Sequence, residues 1–237
     1  MKSKVPEMKR NTVFWLFLWL IGSQAVALHG QGDRITYSLD PFKEVKVFDG
    51  ISLKLIRSDR NEAIVRGENK EKVAVVNSEG VLKIRMEITK IFSGYRTFVD
   101  LHYNSPLTVI DVNEDARIES EEVIRQDVLE VKAQEGGEVQ VQADVTQFLV
   151  KAVSGGIINA TGKSKNQDVQ INTGGIYNGK SFVTGFCTVN VNAGSTAEIN
   201  ATDYVKASVK AGGKVFVYGN PAKMDEKTVF GGTNKRM

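Results

Sequence analysis

Cysteine, proline and histidine are all scarce in this chain, and the scarcity excludes several classes of protein. The 237 residues include one cysteine, four prolines and two histidines. The single cysteine, Cys187, has no partner for an intramolecular disulfide, which excludes a disulfide-stapled secreted domain. We interpret Cys187 as a small buried hydrophobic side chain. Few prolines beside 22 glycines indicate tight turns rather than a disordered linker.

The chain also has few residues that could form a metal or catalytic centre. Its two histidines, His29 and His102, lie outside the glycine-rich repeats described below, and no Cys or His cluster has the spacing of a zinc site. The glycine pairs are followed by residues such as Glu138-Val139, which do not match the calcium-binding Gly-Gly-x-Gly-x-Asp repeat. No phosphate loop or dinucleotide fingerprint occurs. We therefore predict no metal, no cofactor and no catalytic residue.

No apolar run is long enough to span a membrane, which requires about 20 residues. The run 13–21 follows a basic head and precedes the small residues Ala25-Val26-Ala27. This three-part pattern predicts a secretory signal peptide over residues 1–27, with no transmembrane span after cleavage. The alternative interpretation is an uncleaved membrane anchor. We expect export to the periplasm, the outer membrane surface or the extracellular space.

An excess of charge of one sign is absent once the predicted signal is removed. The whole chain has 31 Lys and Arg residues and 28 Asp and Glu residues. Residues 1–27 contain four basic residues and one acidic residue, so 27 of each sign remain. A nucleic-acid-binding domain has a basic excess or a basic stripe. We therefore expect no nucleic-acid partner.

What the chain does have is glycine in pairs at an almost constant step. The series runs from Gly136-Gly137 to Gly231-Gly232 and includes Gly194-Ser195 as one member. The first glycines of successive members lie 19, 19, 20, 18 and 19 residues apart. A period near 20 is typical of a stacked repeat, in which each unit buries its apolar face only against its neighbours. Glycine suits corners that need positive φ or close backbone approach. The predicted structural corners contain Gly136, Gly137, Gly155, Gly156, Gly174, Gly175, Gly194, Gly212, Gly213, Gly231 and Gly232.

Short alternating apolar runs flank these corners, and no stretch of 12 residues has a convincing helical period. The sequence therefore predicts an all-β, parallel β-helix of about 19-residue coils, whose equivalent positions stack into apolar columns. Five to six coils would rise about 24–29 Å at a spacing of about 4.8 Å. We expect a lead-in over residues 28–41 and a β domain over 42–233. Within it, an N-terminal β segment, 42–105, caps one end of the coils at 106–233.

Several motifs resemble those of a known family. They are Phe48-Asp49-Gly50-Ile51 near the start, the recurring glycine corners, and 217–221 (Val-Tyr-Gly-Asn-Pro) followed by Gly231-Gly232. In this order the chain resembles the GIN-domain family, described as auto-transporter adhesin heads and found mostly in Bacteroidetes. The resemblance covers about residues 42–233. It implies a pectin-lyase-like fold, a role in cell adhesion and no identified catalytic set. Family members usually have a small-residue corner before the first glycine pair, where this chain has Asp115-Ala116.

Polar side chains cluster around the corners of the middle coils. Asparagine ladders between stacked coils can exchange side-chain hydrogen bonds, which is the structural interpretation of the cluster. The functional alternative is a flat polar face that binds a glycan or a protein, with tyrosine rings available to stack on sugars. The residues that we assign to this interaction face are Asn159, Asn172, Tyr177, Asn178, Asn190 and Asn192.

These features predict an exported, non-enzymatic adhesin-like or surface-interaction protein. The alternatives are an envelope scaffold protein and a β-helix carbohydrate-active enzyme. Such an enzyme needs clustered carboxylates in a groove. The acidic residues in the first half of the repeats do not form a column: Glu130, Glu135, Glu138, Asp144 and Asp168. An open coil end or a flat sheet face would also offer a surface for homo-oligomerisation.

Overall fold

The structure, a computed structural model, describes residues 33–237 and the backbone of Ala27–Leu28. Apart from the backbone of Ala27, the predicted signal peptide lies outside the described residues, as does His29. The fold is all-β, with 67% of the described residues in strands and 3% in helices. Among residues 33–237, no helix has the length and hydrophobicity needed to cross a membrane.

Within the described part of the chain, seventeen strands form one continuous sheet. The N-terminal strands are β1 (Ala27–Leu28), β2 (Arg34–Ser38), β3 (Glu44–Val47), β4 (Ser52–Arg57), β5 (Glu62–Gly67), β6 (Val73–Ser78), β7 (Val81–Met86), β8 (Thr97–Tyr103) and β9 (Val109–Val112). The C-terminal strands are β10 (Arg117–Ala133), β11 (Glu138–Ala152), β12 (Ile157–Ile171), β13 (Ile176–Val191), β14 (Thr196–Lys210), β15 (Lys214–Tyr218), β16 (Lys223–Val229) and β17 (Thr233–Arg236). Two short 3₁₀ helices span Lys70–Lys72 and Ile88–Lys90.

The sheet winds into a β-solenoid of about seven turns of about 19 residues, which confirms the predicted parallel β-helix. Each middle coil is one long strand followed by a tight corner, and β10 to β14 pair in parallel with their neighbours. We name the segment that leads into a corner the pre-corner strand and the segment that follows it the post-corner strand. Each of β10 to β14 therefore begins as a post-corner strand and ends as a pre-corner strand.

Each corner is a two-residue turn in which both central residues have positive φ. In the corner between β11 and β12, Ser154 has φ 49° and Gly155 has φ 77°, and the Gly156 N–H donates to the Val153 carbonyl at 2.9 Å. This is the pattern of a type I′ turn, which suits glycine at its second central position. The corner at 113–116 has the same geometry without glycine, since Glu114 and Asp115 have φ 53° and 56°.

The second glycine of a pair serves a different purpose. Gly156 lies outside the positive-φ region, but a Cβ on it would overlap the carbonyl group of Ala133 in the preceding coil. The same overlap with the preceding coil would occur at Gly137, Gly175, Gly213 and Gly232. The first glycine therefore supplies the turn conformation, and the second allows adjacent coils to approach closely.

The corners are joined by a chain of backbone hydrogen bonds that runs along the solenoid. In the middle coils, the Gly155 N–H donates to the Thr173 carbonyl, and the Gly174 N–H donates to the Ala193 carbonyl, each at 3.1 Å. The same contact joins all the successive corners from Gly50 to Phe230 at 2.8–3.2 Å. Since the strands of adjacent coils also pair, each coil is held in register along its length.

The core consists of apolar columns formed by equivalent positions in successive coils. One pre-corner column is Val131, Val150, Val169, Val189 and Ala207, and one post-corner column is Ile118, Val139, Ile158, Tyr177, Ala197 and Val215. All of these side chains are buried. Buried aromatic side chains fill the interior of the middle coils, where Phe148 and Phe182 stack with ring centroids 4.5 Å apart. Burial of this apolar surface provides most of the stabilisation.

The N-terminal segment caps one end of the solenoid and also contributes coils to it. Strand β3 pairs in parallel with β9, and β4 pairs in parallel with β10, around a corner at Phe48–Ile51. Coils therefore begin near Glu44, earlier than the glycine pairs predict. The period is hidden because β5 to β8 are inserted between the first two corners. Strands β2, β5 and β6 run antiparallel to their partners and cover this end.

The single cysteine lies in the core as predicted. Cys187 is buried, and its thiol contacts the side-chain oxygen of Gln167 at 3.5 Å. Burial raises the pKa of the Cys187 thiol far above its ordinary value, with a smaller contribution from Asp168. The thiol is therefore protonated and shielded from reagents at neutral pH.

We expect the two glycines of one corner to respond differently to substitution. Gly156→Ala should lower the free energy of unfolding by about 1–3 kcal/mol, because the new methyl group overlaps the backbone of the preceding coil. Gly155→Asn should cost less than about 1 kcal/mol, because asparagine tolerates positive φ and the site has open space around it. Urea unfolding of both variants measures the difference. Equal destabilisation would contradict the separate roles of the two glycines.

Candidate functional site

The clearest concave surface is a groove along the outer side of the post-corner strands. Two depressions form it, and they share Gln140. The first, of about 590 Å³, lies over the N-terminal coils and is lined by residues that include Lys54, Arg66, Phe98 and Arg117. The second, of about 350 Å³, lies over the middle coils and is lined by side chains that include Gln142, Asn159, Thr161, Asn178, Lys180, Ser181 and Glu198. We refer to the two together as the groove.

A column of polar side chains runs along the floor of the groove. Strand pairing places Glu119, Gln140, Asn159, Asn178 and Glu198 at equivalent positions of five successive coils. Alternate residues of a strand point to opposite faces, so these side chains face outward while their neighbours enter the core. Adjacent members are separated by one coil, about 4.8 Å. The column therefore presents amide groups at a regular interval between two carboxylates.

Hydrogen bonds and an ion pair connect the column to the coil below it. The Asn178 amide donates to the Asn159 side-chain oxygen at 2.7 Å, and the Asn159 amide donates to Glu138 at 3.2 Å. Glu138 also pairs with Arg117 at 3.7 Å. These contacts hold the amides in one orientation before any ligand arrives, which reduces the entropy that binding would cost.

An irregularity in the strands forms one wall of the groove. The register of β12 and β13 shifts after the Asn159–Asn178 pair and resumes at Gly162 and Phe182. Strand β13 has one more residue than β12 in this interval, which explains the 20-residue step between Gly174 and Gly194. A bulge of this kind bends the strand and redirects its side chains. Exposed Lys180 and Ser181 line the groove at this point.

The C-terminal end of the groove carries an aromatic ring beside a cation. The Lys180 ammonium lies 4.9 Å from the centre of the Tyr218 ring, and the Tyr218 hydroxyl donates to Glu198 at 3.4 Å. The Asn200 amide donates to the Lys180 carbonyl at 2.8 Å. These contacts fix the bulged segment against the next coil, so this wall is rigid as well as polar.

Two exposed aromatic rings lie at the N-terminal end. Phe98 lines the first depression and is 48% exposed. Tyr95 is 58% exposed and lies beside Ser52 and Arg117, which also line that depression. The Tyr95 hydroxyl donates to Asp115 at 3.1 Å, and this bond raises the pKa of the phenol. Aromatic rings held in place at a groove offer flat apolar surfaces to a ligand.

Charges at the N-terminal end are balanced. Arg66 pairs with Asp100 at 2.6 Å, and Lys54 pairs with Glu121 at 2.7 Å. The groove therefore offers donors, acceptors and aromatic surface without a large excess of either sign. Among residues 33–237, no group of three or more His, Cys, Asp or Glu side chains is placed to hold a metal ion. The arrangement suits a neutral, hydroxyl-rich or amide-rich ligand.

One predicted interaction-face residue is misplaced. Tyr177 is fully buried, and its hydroxyl accepts a hydrogen bond from the Gln167 amide at 2.7 Å. The assignment of Tyr177 to an exposed face is wrong because Tyr177 and Asn178 are adjacent in a strand, so their side chains point to opposite faces. Burial raises the pKa of the Tyr177 phenol well above its ordinary value. Tyr177 is a core residue.

The other five predicted residues divide between two faces. Asn159 and Asn178 lie together in the groove. Asn172, Asn190 and Asn192 lie before or at the corners, on the pre-corner side of the solenoid. Asn190 and Asn192 are exposed there, and Asn172 is half-buried. The structure therefore does not bring the six residues into one surface.

Sequence reasoning missed most of the groove. Four residues of the column each lie three residues after the last residue of a corner. They are Gln140, Asn159, Asn178 and Glu198, which follow Gly137, Gly156, Gly175 and Ser195 in that order. Counting from the corners would therefore have found the column. No sequence signal identifies Phe98, because the strand that carries it lies in the insertion between the first two corners.

Residues 41–221 match the family described as "Putative auto-transporter adhesin, head GIN domain". The chain belongs to the GIN-domain family. No curated protein matches its sequence.

Several solved structures have the same fold as this chain. A "putative adhesin" from Bacteroides fragilis has a TM-score of 0.77 and 15% identity, over 86% of this chain and 96% of that one. A "putative adhesin" from Parabacteroides distasonis has a TM-score of 0.67 and 20% identity, over 86% and 96%. A "Putative lipid binding protein" from Parabacteroides distasonis has a TM-score of 0.63 and 13% identity, over 88% and 98%. At these identities the likeness establishes the fold of the GIN domain alone.

A pair of carboxyl groups lies at the first corners of this GIN domain, next to Tyr95. Asp49 is buried and accepts hydrogen bonds from the N–H groups of Met86 at 3.0 Å and Phe92 at 3.2 Å. Asp49 thereby anchors the loop that carries Tyr95. Glu114 occupies the equivalent position of the next corner. Burial, followed by the nearby charge of Asp49, raises the pKa of the Glu114 carboxyl.

We expect Glu114→Gln to stabilise the protein at pH 7. A carboxyl whose pKa is raised by folding stabilises the fold below its unfolded pKa, and that stabilisation is lost as pH rises through the folded pKa. The substituted amide would be neutral throughout, so the thermal midpoint of the variant should exceed that of the wild type at pH 7. The difference should shrink as pH falls through the range in which Glu114 becomes protonated. Glu122→Gln, at an exposed carboxylate, is the control. A variant midpoint below that of the wild type at pH 7 would contradict this account.

Proposed function

We propose that this GIN domain is an exported, non-enzymatic surface protein that binds a glycan along the groove. The observation that carries the proposal is the ordered amide column between exposed aromatic rings at one end and the Lys180–Tyr218 wall at the other. The family description, an adhesin head, supports a role in attachment. The predicted signal over residues 1–27 supports export.

The chemistry of the groove favours a sugar chain over other ligands. Asparagine and glutamine amides each offer a donor and an acceptor, which match the hydroxyl groups of a neutral sugar. Phe98 and Tyr95 offer faces on which a pyranose ring can stack. Paired charges at Arg66–Asp100 and Arg117–Glu138 leave no strong field for a polyanion.

The shape of the groove favours a linear ligand that lies along the solenoid axis. The column repeats once per coil, so a chain in this direction meets an equivalent amide at each step of about 4.8 Å. Several weak contacts then act together, and affinity should increase with ligand length. A shallow, open surface of this kind suits attachment, because it admits an internal segment of a long polymer.

Binding without catalysis is supported by the regularity of the coils. The carboxylates that line the groove all lie on strands rather than on long loops that enclose a cleft, and they are Asp100, Glu119, Glu138 and Glu198. Asp100 and Glu138 form ion pairs, and Glu138 and Glu198 accept side-chain hydrogen bonds. A glycosidase requires two carboxyl groups that flank one bond. We therefore assign these side chains to ligand orientation.

A glycan array with the protein purified after export tests the proposal. We expect saturable binding to neutral oligosaccharides that strengthens with chain length. The double variant Phe98→Ala/Asn178→Ala should weaken binding by about tenfold or more, since it removes a stacking surface and a hydrogen bond.

A matched control removes one phenylalanine ring and one asparagine amide from surfaces outside the groove. Phe186 is 44% exposed and Asn190 is exposed, and neither lines the groove. Phe186→Ala/Asn190→Ala should therefore bind as the wild type does. An equal loss of glycan binding in both double variants would contradict the proposal. Absence of binding by the folded wild type on the array would also contradict it.

A further inference from the structure

We propose that the coil formed by β16 and β17 blocks the C-terminal end of the solenoid against association with a second copy of the chain. The proposal does not depend on the function of the groove. It rests on which residues this coil places in the core columns. The coil begins at Lys223, beyond the residues that match the family, and continues the stack.

The pre-corner strand of this coil replaces apolar core residues by polar ones. Strand pairing places Glu226 above Ala207. In the four coils that precede Ala207, this column contains valine. Thr228 lies above Val209 in the same way. Both Glu226 and Thr228 are exposed, whereas Ala207 and Val209 are buried. A carboxylate therefore faces the open end of the column.

The post-corner strand repeats this change. Asn234 lies above Val215, and Arg236 lies above Val217. Val215 and Val217 are buried, while Arg236 is exposed and its Nε donates to the Met224 sulfur at 3.0 Å. The Arg236 side chain thus covers part of the apolar end and keeps its charge in water, as long cationic side chains do.

Asn234 indicates that this arrangement costs stability. Within residues 33–237, neither polar atom of its buried side-chain amide has a hydrogen-bond partner. A buried unsatisfied polar group is unfavourable for folding, and valine at the equivalent position of the preceding coil avoids that cost. Asn234 therefore does not serve the stability of the coil. We assign the polar side chains of this coil to the exclusion of a partner that approaches the end.

An approaching copy is the partner that this end would otherwise attract. In the described chain β16 pairs only with β14 and β17 only with β15, so their outer edges are unpaired, and an unpaired edge is a template for pairing. Inward-pointing charges are a known means of preventing edge-to-edge association, because pairing would bury them without partners. The opposite end is covered by antiparallel strands β2, β5 and β6. Two C-terminal ends that meet would therefore form a closed dimer rather than a filament.

Sedimentation velocity of the full chain tests this inference. The double variant Glu226→Val/Arg236→Val places at the end the residue type that occupies these columns in earlier coils. We expect its sedimenting mass to double over a concentration range in which the wild type remains monomeric. Glu226→Gln/Arg236→Gln, which keeps polar side chains in these columns, should remain monomeric.

A control separates the end effect from a general loss of solubility. Glu122→Val/Arg125→Val removes the same charges at exposed positions away from this end and should not dimerise. Circular dichroism checks that each variant is folded, and Glu226→Val alone provides an independent version of the test. A folded Glu226→Val/Arg236→Val variant with the same mass as the wild type would overturn the proposal. Equal association of the control would also overturn it.

Discussion

Backbone hydrogen bonding between successive coils is the constraint on which this structure depends. Each strand pairs with the equivalent strand of the next coil, and each corner amide donates to the next corner carbonyl. Because the register is nearly constant, one residue position becomes one column. The core, the corners and the outer surface are all consequences of that repetition. A solenoid of this kind is stabilised by contacts between neighbours rather than by one central core.

The same repetition produces the groove. A residue that faces outward in one coil has its equivalent directly above it, so amides at one position form a ladder without any special loop. The ladder of Asn159 and Asn178 joins the coils and also presents polar groups to solvent. The structural and functional interpretations of the asparagines are therefore compatible. The departures from repetition, namely the bulge after Asn178 and the insertion that carries Phe98, shape the two ends of the groove.

The sequence predicts the features that repeat from coil to coil, and it does not predict the features that occur once. The glycine step predicts the parallel stack and the position of the corners, because a type I′ turn and a close coil contact both favour glycine. It misses the corner at Phe48–Ile51, because the four inserted strands β5 to β8 lengthen the interval before the next corner. It also counts five to six coils where there are about seven. The chemistry of Tyr177 predicts a surface position, but strand alternation places its side chain opposite that of Asn178 and therefore in the core.

Amide hydrogen exchange, measured residue by residue, reports on the hydrogen bonds between successive corners. If the corners form a continuous hydrogen-bonded chain, the amides of Gly155, Gly174 and Gly194 should exchange roughly tenfold or more slowly than those of the exposed loop at Asp59 and Arg60. Protection should also decline from the middle coils toward β16 and β17, where the apolar columns end. Corner amides that exchange as fast as the loop would contradict the stacked-corner account.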